Sequence, residues 1–209
     1  MTHSTKLGFI HNFLESKERH KMTLLLLHGT GGNEDDLIRL GSEISNFAAI
    51  LSPRGKILEN GAPRFFRRLA EGVFDVKDLK FRTHELADFV KKASELYDFD
   101  IRNVVVIGYS NGANIGASLL LLRPEVVSVA ILFRPMVPLI PDIYPDLSEK
   151  SIFISGGLYD PIVPRRETER LVDLLKKSRA NVFVHWEDSG HELGMDEISE
   201  SSKWLSNTK

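Results

Sequence analysis

The chain has 209 residues, 42% hydrophobic and 27% charged, with a formal net charge of −2 and no cysteine. That length buries one substantial core, so residues 1–209 are expected to form a single domain, and the composition lies far from that of disordered chains. The near-neutral charge argues against nucleic acid or an anionic membrane as partner; the lack of cysteine excludes a disulfide framework, thiolate-held zinc and a cysteine nucleophile.

Residues 1–7 lack the uninterrupted apolar run of a signal peptide, and no window approaches the ~18 apolar residues of a membrane span. The expectation is a cytoplasmic protein with no stable membrane association. In chain order, apolar runs at 22–27, 103–108, 126–132 and 151–155 predict buried strands, and weaker signals at 8–13, 47–52 and 181–186 bring the provisional count to seven. Between them, helical periodicity covers 34–45, 83–97, 110–122, 165–178 and 196–205. This alternation predicts an α/β fold: a mostly parallel sheet with helices on both faces, whose ligands bind beyond the carboxyl ends of the strands. Residues 60–80 show no convincing period, and 133–150 contain prolines at 135, 138, 141 and 145. Excursions of that length in a compact domain are often functional loops or lids.

The strongest chemical signal is Gly108-Tyr109-Ser110-Asn111-Gly112, preceded by the strand pattern Val104-Val105-Val106-Ile107 and followed by a helix rich in small residues. A sharp strand-to-helix turn exposes the serine at the sheet edge, and its flanking glycines allow the tight backbone. Ser110 could instead be a simple helix cap; the five-residue pattern alone is weak, and the strand before it and helix after it favour a nucleophile. A serine hydroxyl needs a base, and the order Ser, Asp, His is available. Asp160 lies in the turn Asp160-Pro161-Ile162-Val163-Pro164 after one strand, and His191 in Ser189-Gly190-His191-Glu192 after the next. Taken singly, Asp160 could be a turn or cap residue, and a lone His191 would more readily be an exposed loop histidine; their order at successive strand ends favours an acid and a base.

Asp188 is the rival acid, being close to His191 in sequence. The other histidines compete poorly: His3 and His20 fall in terminal or turn regions, His11 and His185 in strands, His84 at a helix start.

A tetrahedral intermediate also needs two backbone donors. Asn111 N–H is one candidate, and Thr30 in His28-Gly29-Thr30-Gly31-Gly32 is the other. A phosphate-cradling loop is disfavoured, since neither nucleotide fingerprint is present and Glu34-Asp35-Asp36 would repel phosphate. His28 reads as a structural residue of that loop.

Together these four motifs resemble the bacterial carboxylesterase/phospholipase branch of the α/β-hydrolases, a branch that includes acyl-protein thioesterases. Pro63-Arg64-Phe65-Phe66-Arg67-Arg68-Leu69 is similar to its members associated with hydroquinone resistance. The resemblance implies an α/β-hydrolase fold and a cofactor-free, metal-free serine hydrolase acting on a small-molecule ester. In it Ser110 is nucleophile, Asp160 orienting acid, His191 base, and Thr30 and Asn111 oxyanion donors. A homodimer is compatible with it. The oxyanion loop departs from the three-glycine form of many lipases, which puts bulky esters in doubt.

Thioesterase, lysophospholipase and peptidase activity share the same machinery and stay open, as does a non-catalytic sensor on a hydrolase fold. The basic and aromatic segment 64–68 could suggest RNA binding, but the net charge opposes it; the competing readings are a core-packed loop and a pocket wall. The expectation is a pocket wall over Ser110, with Phe66 facing the substrate and an arginine, Arg67, contacting its polar part.

Overall fold

The computed structural model describes residues 7–16 and 22–208. The sequence readings for residues 1–6 and for His20 lie outside these. In chain order the elements are strand β1 (His11–Leu14), β2 (Thr23–Leu27), helix α1 (Ile38–Ile44), β3 (Ala49–Pro53), β4 (Ile57–Glu59), β5 (Ala62–Arg64), β6 (Arg68–Ala70) and β7 (Val73–Phe74). Then follow α2 (Val76–Tyr97), β8 (Val104–Tyr109), α3 (Asn111–Leu122), β9 (Val129–Phe133), β10 (Ser151–Gly157), α4 (Arg165–Lys177), β11 (Asn181–Glu187) and α5 (Met195–Asn207).

Seven of these strands form one sheet in the order β1-β3-β2-β8-β9-β10-β11. Every neighbouring pair is parallel except β1 with β3. The sheet is covered on both faces, which is why β2 and β8 are apolar without alternation. Leu25, Leu27, Val104, Val106, Ile152 and Ile154 pack with residues of α2, α3 and α4; Leu24, Leu26, Val105, Ile107 and Phe153 pack with α1 and α5. This is the α/β-hydrolase architecture expected from the sequence.

After β2 the chain moves outward to β3, then returns to place β8 on the other side of β2. The strand order therefore reverses between β2 and β8, and a crevice opens there at the carboxyl ends of the strands. The loop carrying Thr30 leaves β2 and Ser110 follows β8, so topology brings both to that crevice.

Several boundaries shift from the sequence expectation, among them the starts of α1 at Ile38 and of β1 at His11. Residues 60–80 are not structureless: two short hairpins, β4–β5 and β6–β7, occupy 57–74. Helix α2 begins at Val76, one turn and more before the expected 83, where Asp75 caps it by accepting the Asp78 N–H at 3.0 Å. The strand expected from 126 starts at Val129, because 124–126 form a 3-10 turn opened by Pro124.

Candidate active site

Ser110 sits between the end of β8 and the start of α3 with φ 52° and ψ −112°. A non-glycine residue rarely holds this backbone, which costs of order 1–3 kcal/mol unless its surroundings enforce it. They do: the Ser110 N–H donates to Phe133 O at 2.9 Å, and the Asn114 N–H donates to Ser110 O at 3.0 Å. Helix α3 is buried on all sides and runs directly against the sheet. Gly112 makes this approach possible, since a Cβ there would stand 1.9 Å from Leu27 O.

Asp160 lies in the turn after β10, its carboxylate fully buried. Its Oδ1 accepts the N–H groups of Ile162 at 2.8 Å and Val163 at 2.9 Å, leaving Oδ2 for His191. The His191 Nδ1 is 2.7 Å from that oxygen, and its Nε2 is 3.0 Å from Ser110 Oγ. An imidazole held in this way, with Nδ1–H donating to the carboxylate, presents a lone pair on Nε2 to the serine hydroxyl. Asp188, the rival acid, is exposed.

The loop carrying His191 is fixed by residues that no sequence motif announced. Arg134, fully buried, follows β9 with φ 56°. Its guanidinium donates to Gly190 O at 3.0 Å and Glu192 O at 2.6 Å, the carbonyls on either side of His191, and to Ser189 Oγ at 3.0 Å. Glu197 of α5, equally buried, pairs with it at 2.6 and 2.7 Å and also accepts the Gly194 N–H at 2.7 Å. The ion pair thus satisfies both buried charges and clamps the loop onto the sheet. The Tyr109 hydroxyl, kept protonated by a pKa that burial raises, donates to His191 O at 3.0 Å. Gly157 lets the loop descend this far, as a Cβ there would meet Gly190 O at 2.1 Å. A lone arginine directly after the apolar strand Val129–Phe133 was the available clue to the clamp.

Thr30 and Asn111 line the same cavity as Ser110 and His191. Asn111 is the first residue of α3, so its N–H has no intrahelical acceptor and lies at the positive end of the helix dipole. The amides after Thr30 are engaged, Gly31 N–H with Pro63 O at 2.9 Å and Gly32 N–H with Gly29 O at 3.1 Å. The Asn111 side chain also braces the wall, accepting the Phe65 N–H on Oδ1 at 2.8 Å. His28 is neutral, its pKa lowered chiefly by burial; Nδ1 bonds Gly29 O at 2.7 Å while Nε2 accepts the Gly55 N–H at 2.9 Å. It is a structural pin of the loop, as expected.

The wall expectation needs correction. Phe66 does not face the cavity: it is fully buried in the core, edge-on to Phe74 with ring centroids 5.1 Å apart. Arg67 points to solvent and pairs with Asp75 at 3.3 Å and Asp78 at 3.7 Å. The hairpins turn the alternation the other way, so Arg64, Arg68 and Phe74 line the cavity instead, with Asn114, Met136, Ile162 and Val163 from other loops. The cavity measures about 260 Å³. Among the described residues, no group of three or more His, Asp or Glu side chains is arranged to hold a metal ion, and no helix is long and apolar enough to cross a membrane.

Comparison with known proteins gives a consistent picture. The protein MhqD of Bacillus subtilis (strain 168) is 50% identical over 181 residues, spanning 87% of this chain and 90% of that one. The crystal structure of the Bacillus cereus carboxylesterase superposes with a TM-score of 0.93 at 49% identity, covering 95% of this chain and 93% of that one. The carboxylesterase from Mesorhizobium loti gives 0.93 at 30% identity, covering 99% and 98%. Residues 10–209 match the Phospholipase/Carboxylesterase family. The chain belongs to that family and is a hydrolase of the ester-cleaving type.

Proposed function

We propose that the protein cleaves carboxylic esters of small substrates through an acyl-enzyme on Ser110. The observation that carries this reading is the hydrogen-bonded chain from Ser110 Oγ to His191 Nε2 at 3.0 Å and from His191 Nδ1 to Asp160 at 2.7 Å. As Ser110 Oγ attacks the ester carbonyl, His191 takes its proton, and Asp160 stabilises the imidazolium that forms. The N–H groups of Asn111 and Thr30 receive the oxyanion. The tetrahedral intermediate collapses, the alcohol leaves with the proton from His191, and the acyl group stays on Ser110. Water, deprotonated by His191, then releases the acid and restores the serine.

A cavity of about 260 Å³, at or below the lower end for drug-sized ligands, supports a small acyl or alcohol part over a long lipid chain. A single domain over residues 1–209, a cytoplasmic location and a homodimeric state belong to the same proposal and rest on the sequence and the family resemblance.

Ser110→Ala tests the mechanism. The variant is expected to keep its melting temperature, to lose labelling by a fluorophosphonate and to lose turnover of 4-nitrophenyl acetate. Multiple turnover by this variant at a rate near the parent's would exclude Ser110 as the nucleophile, and a parent with one-time labelling but no sustained turnover would point to a sensor.

A further inference from the structure

Two guanidiniums share one carboxylate beside the catalytic serine. Arg64, only 4% exposed at its side chain, and Arg68 both line the cavity that holds Ser110 and His191. Glu59 bridges them, 3.2 Å from Arg64 Nε and 2.8 Å from Arg68 Nε. The other acceptors of Arg64 are neutral: Thr30 Oγ1 at 2.6 Å from Nη1 and Phe66 O at 3.3 Å from Nε. Among the described residues its Nη2 has no acceptor. Arg67, next to Arg68 in sequence but turned away from the cavity, has the opposite arrangement, with the two carboxylates of Asp75 and Asp78 around one guanidinium.

A guanidinium taken out of water needs charge compensation as well as hydrogen bonds, and the buried Arg64 shares its one carboxylate, Glu59, with the more exposed Arg68. Burial is the main cause that lowers the pKa of Arg64, and repulsion from Arg68 comes next, ahead of the opposing attraction of Glu59. Glu71 also lines the cavity but is exposed, where solvent screens it. Phe74, the partner of Arg68 across the β6–β7 hairpin, and Met136, Ile162 and Val163 from other loops add apolar lining. The buried positive charge therefore sits at Arg64, next to the Thr30 loop.

We propose that the pocket is built for esters that carry a carboxylate, which Arg64 and Arg68 receive while Ser110 attacks the ester carbonyl. The planar fork of an arginine matches a carboxylate in two parallel hydrogen bonds, so recognition is geometric as well as electrostatic. Arg64 also holds Thr30 in place, and binding of an anion at Arg64 couples substrate recognition to the oxyanion loop. The proposal rests on the esterase reading above, and the test separates the two.

Two matched pairs of esters decide it: mono-4-nitrophenyl succinate against 4-nitrophenyl butyrate, with the charge on the acyl side, and 4-acetoxybenzoate against phenyl acetate, with the charge on the alcohol side. Each kcat/KM is divided by that ester's rate of hydroxide hydrolysis to remove intrinsic reactivity. In at least one pair the charged ester is expected to be preferred by about tenfold or more, the equivalent of one good ion pair, with the preference shrinking as salt is raised. Arg68→Gln, on an exposed hairpin, should lower that ratio toward one. Glu59→Gln should raise it by freeing both guanidiniums, whereas a purely structural role for Glu59 would leave it flat or lower it. The ratio is internal to each preparation, so partial unfolding of a variant does not affect it. Hydrolysis of the neutral esters with no preference for the charged ones in either pair, or an unchanged preference in Arg68→Gln, overturns the proposal and leaves the esterase reading standing. Failure to hydrolyse any of the four, with no fluorophosphonate labelling of Ser110, overturns both.

Discussion

The two sides of the active-site crevice are built on different principles. On one side, Ser110, Asp160 and His191 each follow a strand of the central sheet directly, β8, β10 and β11 in turn, so a tight turn at a fixed strand end determines where each side chain points. On the other side, the wall formed by residues 57–74 consists of two hairpins that belong to no larger sheet, and packing alone decides which residues face the cavity. Catalytic groups need positions reproducible to a fraction of an ångström, which rigid strand ends provide. A specificity wall can vary without disturbing them.

The largest effect expected from breaking this division falls on the strand-end side. In Asp160→Asn, one side-chain oxygen can still accept the Ile162 and Val163 N–H groups, so the turn should hold. The amide nitrogen then faces His191 Nδ1 and imposes the wrong tautomer, placing a hydrogen on Nε2 where Ser110 needs a lone pair. A loss of about 10³–10⁴ in kcat with an unchanged melting temperature is expected. On the wall side, Phe66→Ala should act through stability instead, costing about 3–5 kcal/mol for a buried ring, while kcat/KM per folded molecule toward a panel of ester chain lengths stays near the parent value. Chemical denaturation and active-site titration on the same preparation distinguish the outcomes, and a selective loss for long acyl chains would return Phe66 to the pocket.

This difference also explains what could be read from the sequence. The turn around Ser110, the proposed nucleophile, was legible because Val104-Val105-Val106-Ile107-Gly108 announces its strand and Gly112 its close helix; Asp160 and His191 followed from strand order. In the structure all three meet within hydrogen-bond distance. The wall was not legible: the run Arg64-Phe65-Phe66-Arg67-Arg68 mixes basic and aromatic residues without a period, and only packing decides that Phe66 turns inward and Arg67 outward. The same reason hid the first turns of α2, whose charged residues Lys77, Asp78 and Lys80 mask its period until packing against α3 is known. Arg134 escaped notice because the loop and the helix residue it clamps lie 55 to 63 residues away along the chain.

Arg134 sharpens the comparison, because it asks whether the strand end alone positions His191. Arg134→Met leaves Glu197 buried and unpaired, and a loss of about 3–5 kcal/mol is expected from that charge alone. Any fall in activity would then be confounded with unfolding. The double variant Arg134→Met/Glu197→Met removes both charges and fills the space with apolar side chains, which should restore most of the stability. It does not restore the donors to Gly190 O and Glu192 O that flank His191. If the clamp positions the base, kcat of the double variant stays down by about 10²-fold, as for a displacement near 1 Å, while KM moves little and fluorophosphonate labelling of Ser110 slows in parallel. Recovery of kcat together with stability would instead mean that the end of β11, the Tyr109 hydroxyl and the Asp160 carboxylate suffice to hold His191, and that the buried ion pair serves the fold alone.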